Sequence, residues 1–400
     1  MSTTKKSKLH PNILWLGVAS MFNDMSGEIV ARALPLFLTA TLGVGASVVG
    51  LIEGIADTTS SLLKIFSGWY SDKFKTRKAP TVVGYALTAI ARPLLLIQSK
   101  VAMPLASRFL DRAGKGVRTA PRDALIADSV ASTDRGRGFG VQRALDTAGA
   151  VIGALIAAIA VSELESTGQR ISEHTFTILV YLAIVPSFIS VAVIALLVKN
   201  VRHHSRQPGK ITGFSGPISP VFGRYLIILA IFSLGASSDA FLLLRSAELG
   251  LAPASIFFLV AAFNLVGALT AYPIGKLSDK IGKKKMLIIG WTYYGIVYFG
   301  FAFADSTMLI SMLFIAYGLY YGLTEGVEKA FVADLVDADH RGTSYGYFNA
   351  VIGLAALPAS FGFGFLYQQF GAAVAFGSGS LLALAASFLL AVMIKPAGKN

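Results

Sequence analysis

The stretch RFLDRAGKGVRTAPRD, Arg108 to Asp123, decides how this chain is read. Arg108, Asp111, Arg112, Lys115 and Arg118 are five charges in close succession, inside a chain that is 54% hydrophobic and only 14% charged. The run is either a soluble loop between apolar segments or a charged helix among them. A helix turns by about 100° per residue, which gathers Arg108, Asp111, Arg112, Lys115, Arg118 and Arg122 into an arc of roughly 120°, with Asp123 beside it. The spacing therefore predicts a helix with one charged face.

The surroundings say where that helix runs. A soluble domain has about a quarter of its residues charged. Apolar runs near the spanning length of ~20 residues recur here, among them FTILVYLAIVPSFISVAVIALLV from Phe176 and LLALAASFLLAVMI from Leu381. The first apolar stretch carries Asp24, Glu28 and Arg32 and shows no clear cleavage site. It reads as a retained span rather than a signal peptide. There is no cysteine, which excludes disulfides and thiolate metal sites. The His203–His204 pair sits in a polar linker and reads as solvated. No metal site and no cofactor are expected.

The formal charge is +13, but it is not spread as a nucleic-acid surface would be. Basic residues gather in separate loops: Lys5, Lys6 and Lys8; Lys73, Lys75, Arg77 and Lys78; Lys199, Arg202, Arg206 and Lys210; Lys280, Lys283, Lys284 and Lys285. The alternate loops are nearly free of them, Lys100 and Arg170 being the main exceptions. This alternation is the positive-inside pattern. It predicts an integral membrane protein with both termini cytoplasmic. The expected partners are the lipid bilayer and a small-molecule substrate, with no nucleic acid, and the chain is expected to be a monomer.

Twelve spans are predicted, at about 12–40, 46–70, 80–98, 101–128, 137–161, 175–198, 221–245, 254–275, 286–304, 307–334, 342–366 and 372–394. The polar segment KNVRHHSRQPGKITGFSGPISP follows the sixth. Its Gly, Pro and basic content marks a linker, 199–220, between halves 1–198 and 221–400. The halves repeat. SGWYSDKFKTRK at the end of the second span matches IGKLSDKIGKKK at the end of the eighth, pairing Gly68 with Gly275 and Asp72 with Asp279. IADSVASTDRGRGFG matches VADLVDADHRGTSYG, pairing Asp128 with Asp334 and Arg135 with Arg341. The offset is nearly constant, the mark of a transporter built from two related bundles.

The loop pattern Gly-x-x-x-Asp-(Arg/Lys)-x-Gly-(Arg/Lys)-(Arg/Lys), placed after the second and eighth spans, resembles the signature of the major facilitator superfamily. The second copy fits throughout, with Gly275, Asp279, Lys280, Gly282, Lys283 and Lys284. The first departs, with Lys75 at the glycine position and Thr76 after it. The resemblance implies an all-α membrane fold of twelve helices in two pseudo-symmetric six-helix bundles. The run DRAGKGVRTAPRDALIADS also resembles a bacterial branch of the superfamily, which implies that the membrane is a bacterial inner membrane. The resemblance further implies latch roles for Asp72 and Asp279, close approach at Gly68 and Gly275, and Arg135 as a partner. RFLDRAG resembles the superfamily's span-four Arg-x-x-x-x-x-Gly motif, which implies a part for Arg108 in proton transfer. Span five departs from the antiporter pattern: DTAGAVIGALIA keeps Gly149 and Gly153 but has Ala150 at the proline position.

In this register the opening stretch is span four. Each charge near a span centre costs about 2.5–3.5 kcal/mol on insertion scales, on the order of 12–17 kcal/mol for five if additive and unpaired. These side chains must line water or pair with neighbouring helices. Partners are available on span one (Asp24, Glu28, Arg32), span two (Glu53, Asp57, Lys64) and span five (Arg143, Asp146). Span three has only Arg92 and span six has none, which agrees with the cavity-lining spans the resemblance implies.

Two uses of the charged face compete: ion pairs that hold or switch the helices, and a site for an anionic substrate with a proton relay. The second predicts substrate contacts from Arg112, Lys115 and Arg118, joined by Tyr321 and Glu325 on span ten. It predicts proton handling by Asp24, Glu28, Glu53, Asp57, Arg108, Asp111 and Asp146. The first predicts pairs such as Lys115 with Asp57. AGKGVRT lacks the Walker pattern, and no nucleophile elbow or metal-binding helix occurs, so an enzyme is not expected. The expected function is secondary active transport of a small organic anion or zwitterion, proton-coupled, by alternating access. The alternatives are a proton-driven efflux pump for amphipathic compounds and, from another class, a sensor or lipid-moving protein on the same fold.

Overall fold

An apolar solvent leaves the backbone no hydrogen-bond partner but itself, so membrane segments of this composition close their bonds as helices. The computed structural model describes residues 10–73, 77–97, 99, 101–129, 135–165, 170–200, 219–336 and 341–394. Among them the regular structure is entirely helical: α1 (Pro11–Leu36), α2 (Ala46–Lys73), α3 (Lys78–Ala91), α4 (Ala102–Asp128), α5 (Arg135–Leu164), α6 (Glu173–Leu197), α7 (Pro220–Gly235), α8 (Ala240–Glu248), α9 (Pro253–Ile281), α10 (Lys283–Phe303), α11 (Thr307–Leu335) and α12 (Arg341–Met393).

Local chemistry sets the ends. Ser172, Ser219 and Ser306 cap α6, α7 and α11 through their hydroxyls. Pro11, Pro220 and Pro253 open their helices, where no amide hydrogen is needed. Gly282, at φ 95°, turns the chain sharply between α9 and α10.

Each expected interval is occupied by helix, but the elements do not correspond one to one. The seventh interval breaks after Gly235 and resumes at Ala240, so Asp239 stands at the start of a second helix. The last two run on as α12, whose 53 residues would reach about 80 Å as a straight rod, far beyond a ~30 Å hydrocarbon core. Gly371, at φ 82°, breaks it near the expected boundary.

Eight helical segments among the described residues are long and apolar enough to cross a membrane by length and composition. Helices α1, α2 and α4 are not among them. These three carry most of the charges expected at the site, and packing accounts for how they are accommodated. Helix α1 lies on α5 and α6, α4 on α2 and α3, and α9 and α10 on α11; across the two halves of the chain α2 packs on α12 and α5 on α9. Gly149 and Gly153 let α5 lie directly against the α1 backbone at Met21 and Met25, where a Cβ would collide with main-chain atoms. The C-terminal half is sealed by buried rings, with Phe232 stacked on Trp291 at 4.3 Å and Tyr294 on Tyr298 at 4.1 Å.

Candidate functional site

The charged face of α4 points inward. Arg108 meets Glu53 of α2 through two hydrogen bonds, one of 2.8 Å from Nε to Oε1 and a second from Nη2 to Oε2. Both side chains are 4% exposed. Asp111 receives Arg92 Nη2 at 2.9 Å and stands 3.6 Å from Arg108 Nη1. Arg92 Nε also donates to Ser26 Oγ of α1 at 3.1 Å. Arg112 Nε lies 3.3 Å from Asp57 Oδ1, an ion pair that leaves Nε without a hydrogen bond. Arg118 donates to Thr88 Oγ1 at 2.8 Å and lies over the Tyr85 ring, 4.7 Å from its centre. One turn on, Arg122 Nη1 donates to Ser20 Oγ at 3.0 Å, and Ser20 in turn donates to Asp146.

A central cavity with two lobes opens beside this wall. The larger, about 380 Å³, is bordered by cations Arg32, Arg92, Arg108, Arg112, Lys115 and Arg118. Six carboxylates face them: Asp24, Glu28, Glu53, Asp57, Asp111 and Asp239. The smaller, about 310 Å³, shares Asp57, Arg112, Lys115, Ser237 and Ser238, and adds Lys64, Phe232, Tyr320 and Glu328 among others. The broken segment between α7 and α8 therefore forms part of the shared wall. Asp239, at the break, pairs with Arg32 Nη1 at 3.4 Å and accepts from Tyr317 and Tyr321 hydroxyls at 3.1 and 3.2 Å. Arg32 is also held by Glu28 at 2.9 Å.

Most residues expected at a site converge here. Asp24, Glu28, Glu53, Asp57, Arg108 and Asp111 line the larger lobe with Arg112, Lys115, Arg118 and Tyr321. Asp146 lies behind that wall on Ser20, near enough to Asp24 to act on its charge. Glu325 borders neither lobe; it pairs with Arg143 of α5 at 2.5 Å in an exposed position. The expected Lys115–Asp57 pair is replaced by Arg112–Asp57, and Lys115 has no carboxylate at ion-pair distance among the described residues. Asp279 is exposed with no ion pair among the described residues, and Gly275 has open space beside it. The side chains of Gly68, Asp72 and Arg135, like His203 and His204, lie outside the described residues.

Four contributors were missed. Arg92 was set apart with span three, yet it is 1% exposed and ties three helices together. Lys64 was expected only among the ion-pair partners of span two, and Asp239 and Glu328 had no expected role. The signal was available: an ionisable residue within an apolar run is itself a functional pointer.

The comparisons agree with the fold. A family description, Major Facilitator Superfamily, matches residues 16–245 and 226–400. An uncharacterized MFS-type transporter of Methanocaldococcus jannaschii is 34% identical over 394 residues, covering 96% of this chain and 95% of its own. The multidrug resistance protein MdtH of Salmonella arizonae is 22% identical over 331 residues, covering 82% and 79%. Among solved structures, a mutant of the nucleoside transporter NupG superposes with a TM-score of 0.78 at 14% identity, over 96% of this chain and 100% of that one. The family and the transporters it groups with point to a transporter rather than an enzyme. The chain belongs to the Major Facilitator Superfamily.

Proposed function

We propose that this transporter moves a small organic anion or zwitterion by alternating access, driven by protons. The observation that carries the reading is Lys115. It is exposed to the cavity on the shared wall of both lobes, and among the described residues no carboxylate lies within ion-pair distance of it. A cation without an ion-pair partner in a low-dielectric cavity favours an anionic group. Arg112 and Arg118 stand on the same face. Asp24 makes no ion pair among the described residues, and its neighbours Lys115, Arg118 and Asp146 all act on its charge. A carboxyl so placed is suited to exchange a proton as substrate charge arrives and leaves. In this reading residues 1–198 and 221–400 move as two bundles joined by 199–220, with Gly68, Asp72, Arg135, Gly275 and Asp279 acting at the cytoplasmic latch.

The test is a ligand-stabilisation screen of purified protein, followed by flux into proteoliposomes with and without an imposed pH gradient. The reading expects stabilisation by carboxylate-bearing solutes and gradient-dependent flux. Stabilisation confined to hydrophobic cations would refute it. Reporter fusions after Lys78, Arg206 and Lys285 should all report cytoplasm; a periplasmic signal from any one would overturn the topology.

Efflux of amphipathic compounds is a second reading. Leu229, Phe232, Tyr320 and Ile352 give the smaller lobe an apolar side, and the similar MdtH is a multidrug resistance protein.

A further inference from the structure

The smaller lobe is electrically lopsided in a way the larger one is not. In the larger lobe six cations face six carboxylates, and most are tied in the pairs described above. In the smaller lobe the charges divide by wall. Lys64, Arg112 and Lys115 come from α2 and α4, with Asp57 spent on Arg112. Neither lysine ammonium has a carboxylate or hydrogen-bond partner among the described residues. Glu328, on α11, is the carboxylate of the facing wall. It accepts from Trp291 Nε1 at 3.0 Å and makes no ion pair among the described residues. The rings of Phe232 and Tyr320 border the lobe on that same side. On the cationic side, the Ser60 hydroxyl is buried and without a hydrogen-bond partner among the described residues.

We infer that the smaller lobe binds a zwitterion across the two halves of the chain, its acid group toward Lys64 and Lys115 and its ammonium toward Glu328. The inference rests on the cavity being the substrate site and narrows the substrate class. A fixed dipole of this kind discriminates by stranding charge. An acid-only ligand leaves Glu328 facing no cation, and an amine-only ligand leaves two ammonium groups facing no anion. An unpaired buried charge of either sign is costly. The rings beside Glu328 add to the preference, since an aromatic face attracts an ammonium group. The lobe volume of about 310 Å³ is at the lower limit of small-molecule sites, which fits a solute of amino-acid or dipeptide size. Because the two charged ends sit on opposite halves, only a ligand carrying both charges links them.

The test uses three matched probes on purified full-length protein: phenylalanine, N-acetylphenylalanine and phenylalaninamide. Thermal stabilisation and equilibrium binding are measured for wild type, Glu328→Gln and Lys115→Gln. Neither substitution breaks an ion pair, and glutamine can still accept from Trp291, so both variants are expected to fold. The expected result is binding of phenylalanine at least tenfold tighter than either derivative, with each variant losing about tenfold. N-acetylphenylalanine binding as tightly as phenylalanine, with Glu328→Gln unchanged, would overturn the zwitterion inference and leave an anion site standing. Failure of all three probes to bind would overturn the inference, and with it the reading of this cavity as the site for carboxylate solutes.

Discussion

Arg108→Gln and Glu53→Gln remove opposite ends of one buried pair, and the structure predicts that they will not cost the same. Each side chain is 4% exposed, so neither stranded charge can be rescued by bulk water. Removing one partner of such a pair costs about 3–5 kcal/mol. Glu53 has no other cation at ion-pair distance among the described residues, so Arg108→Gln should incur the full penalty. Arg108 has a second carboxylate, Asp111, at 3.6 Å. Glu53→Gln should therefore cost less, about 2–3 kcal/mol, with the glutamine amide oxygen still accepting one bond. The double variant strands no charge and should cost about 1 kcal/mol, a coupling of several kcal/mol within one network. The assay is unfolding of the purified protein in a fixed detergent, for wild type, two singles and the double. The expected order of stability is wild type, double, Glu53→Gln, Arg108→Gln. A double variant as unstable as the sum of the singles would refute the pairing. Glu53→Gln being the worse single would refute the backup role of Asp111.

Further outcomes follow from the same geometry. Arg112→Gln should lower stability only by about 1 kcal/mol, because its partner Asp57 is 37% exposed in the cavity; a loss as large as that of Arg108→Gln in the same unfolding assay would contradict this. Gly149→Ala should destabilise by about 1–3 kcal/mol in that assay, since its Cβ would press on the Met21 main chain; Ala150→Gly, its chain neighbour, should not reproduce that loss. Asp279→Asn should leave unfolding unchanged, because the carboxylate is exposed and makes no ion pair among the described residues. If it latches the two halves, it should still shift the distance distribution between spin labels on their cytoplasmic ends.

The charged face of α4 was legible because helical periodicity alone decides which residues share an arc. What periodicity does not carry is the rotation of one helix against another. That is why Asp57 was assigned to Lys115 and pairs with Arg112, one turn of ambiguity on the same stripe. Glu325 and Glu328 show the same effect on α11: one turn apart, Glu325 reaches Arg143 of α5 across the halves while Glu328 borders the cavity. Arg92 was misread for another reason. It ends α3 and begins a short 3₁₀ turn at Pro93–Leu96, and there its side chain reaches inward to Asp111 rather than outward along the span. The break at 236–239 had a local signal in Gly235, Ser237, Ser238 and Asp239, overridden by the apolar length on either side. The two-fold repeat located the halves but said nothing of their dissimilar walls, since the cations are concentrated in the first.

The driest ion pairs among the described residues all lie within the N-terminal half, and that bears on movement. Within the N-terminal half, Arg108–Glu53 is 4% exposed on both sides, and Arg92–Asp111 is 1% and 13% exposed. The pairs that cross between the halves are wetter: Arg32–Asp239 at 17% and 20%, Arg143–Glu325 at 61% and 42%. Exposed pairs are worth about 0–1 kcal/mol and are rebuilt by water when broken, whereas breaking a buried one strands charge at several times that cost. Arg32 would not even be left bare by losing Asp239, since Glu28 holds it from the same helix at 2.9 Å. Asp239 likewise keeps the Tyr317 and Tyr321 hydroxyls. A separation of the halves at this seam thus exchanges one hydrogen-bonded arrangement for another at little cost, while the deeper pairs keep α2, α3 and α4 together. A chain with the gradient reversed, dry across the seam and wet within each half, would lose its bundles before it parted them.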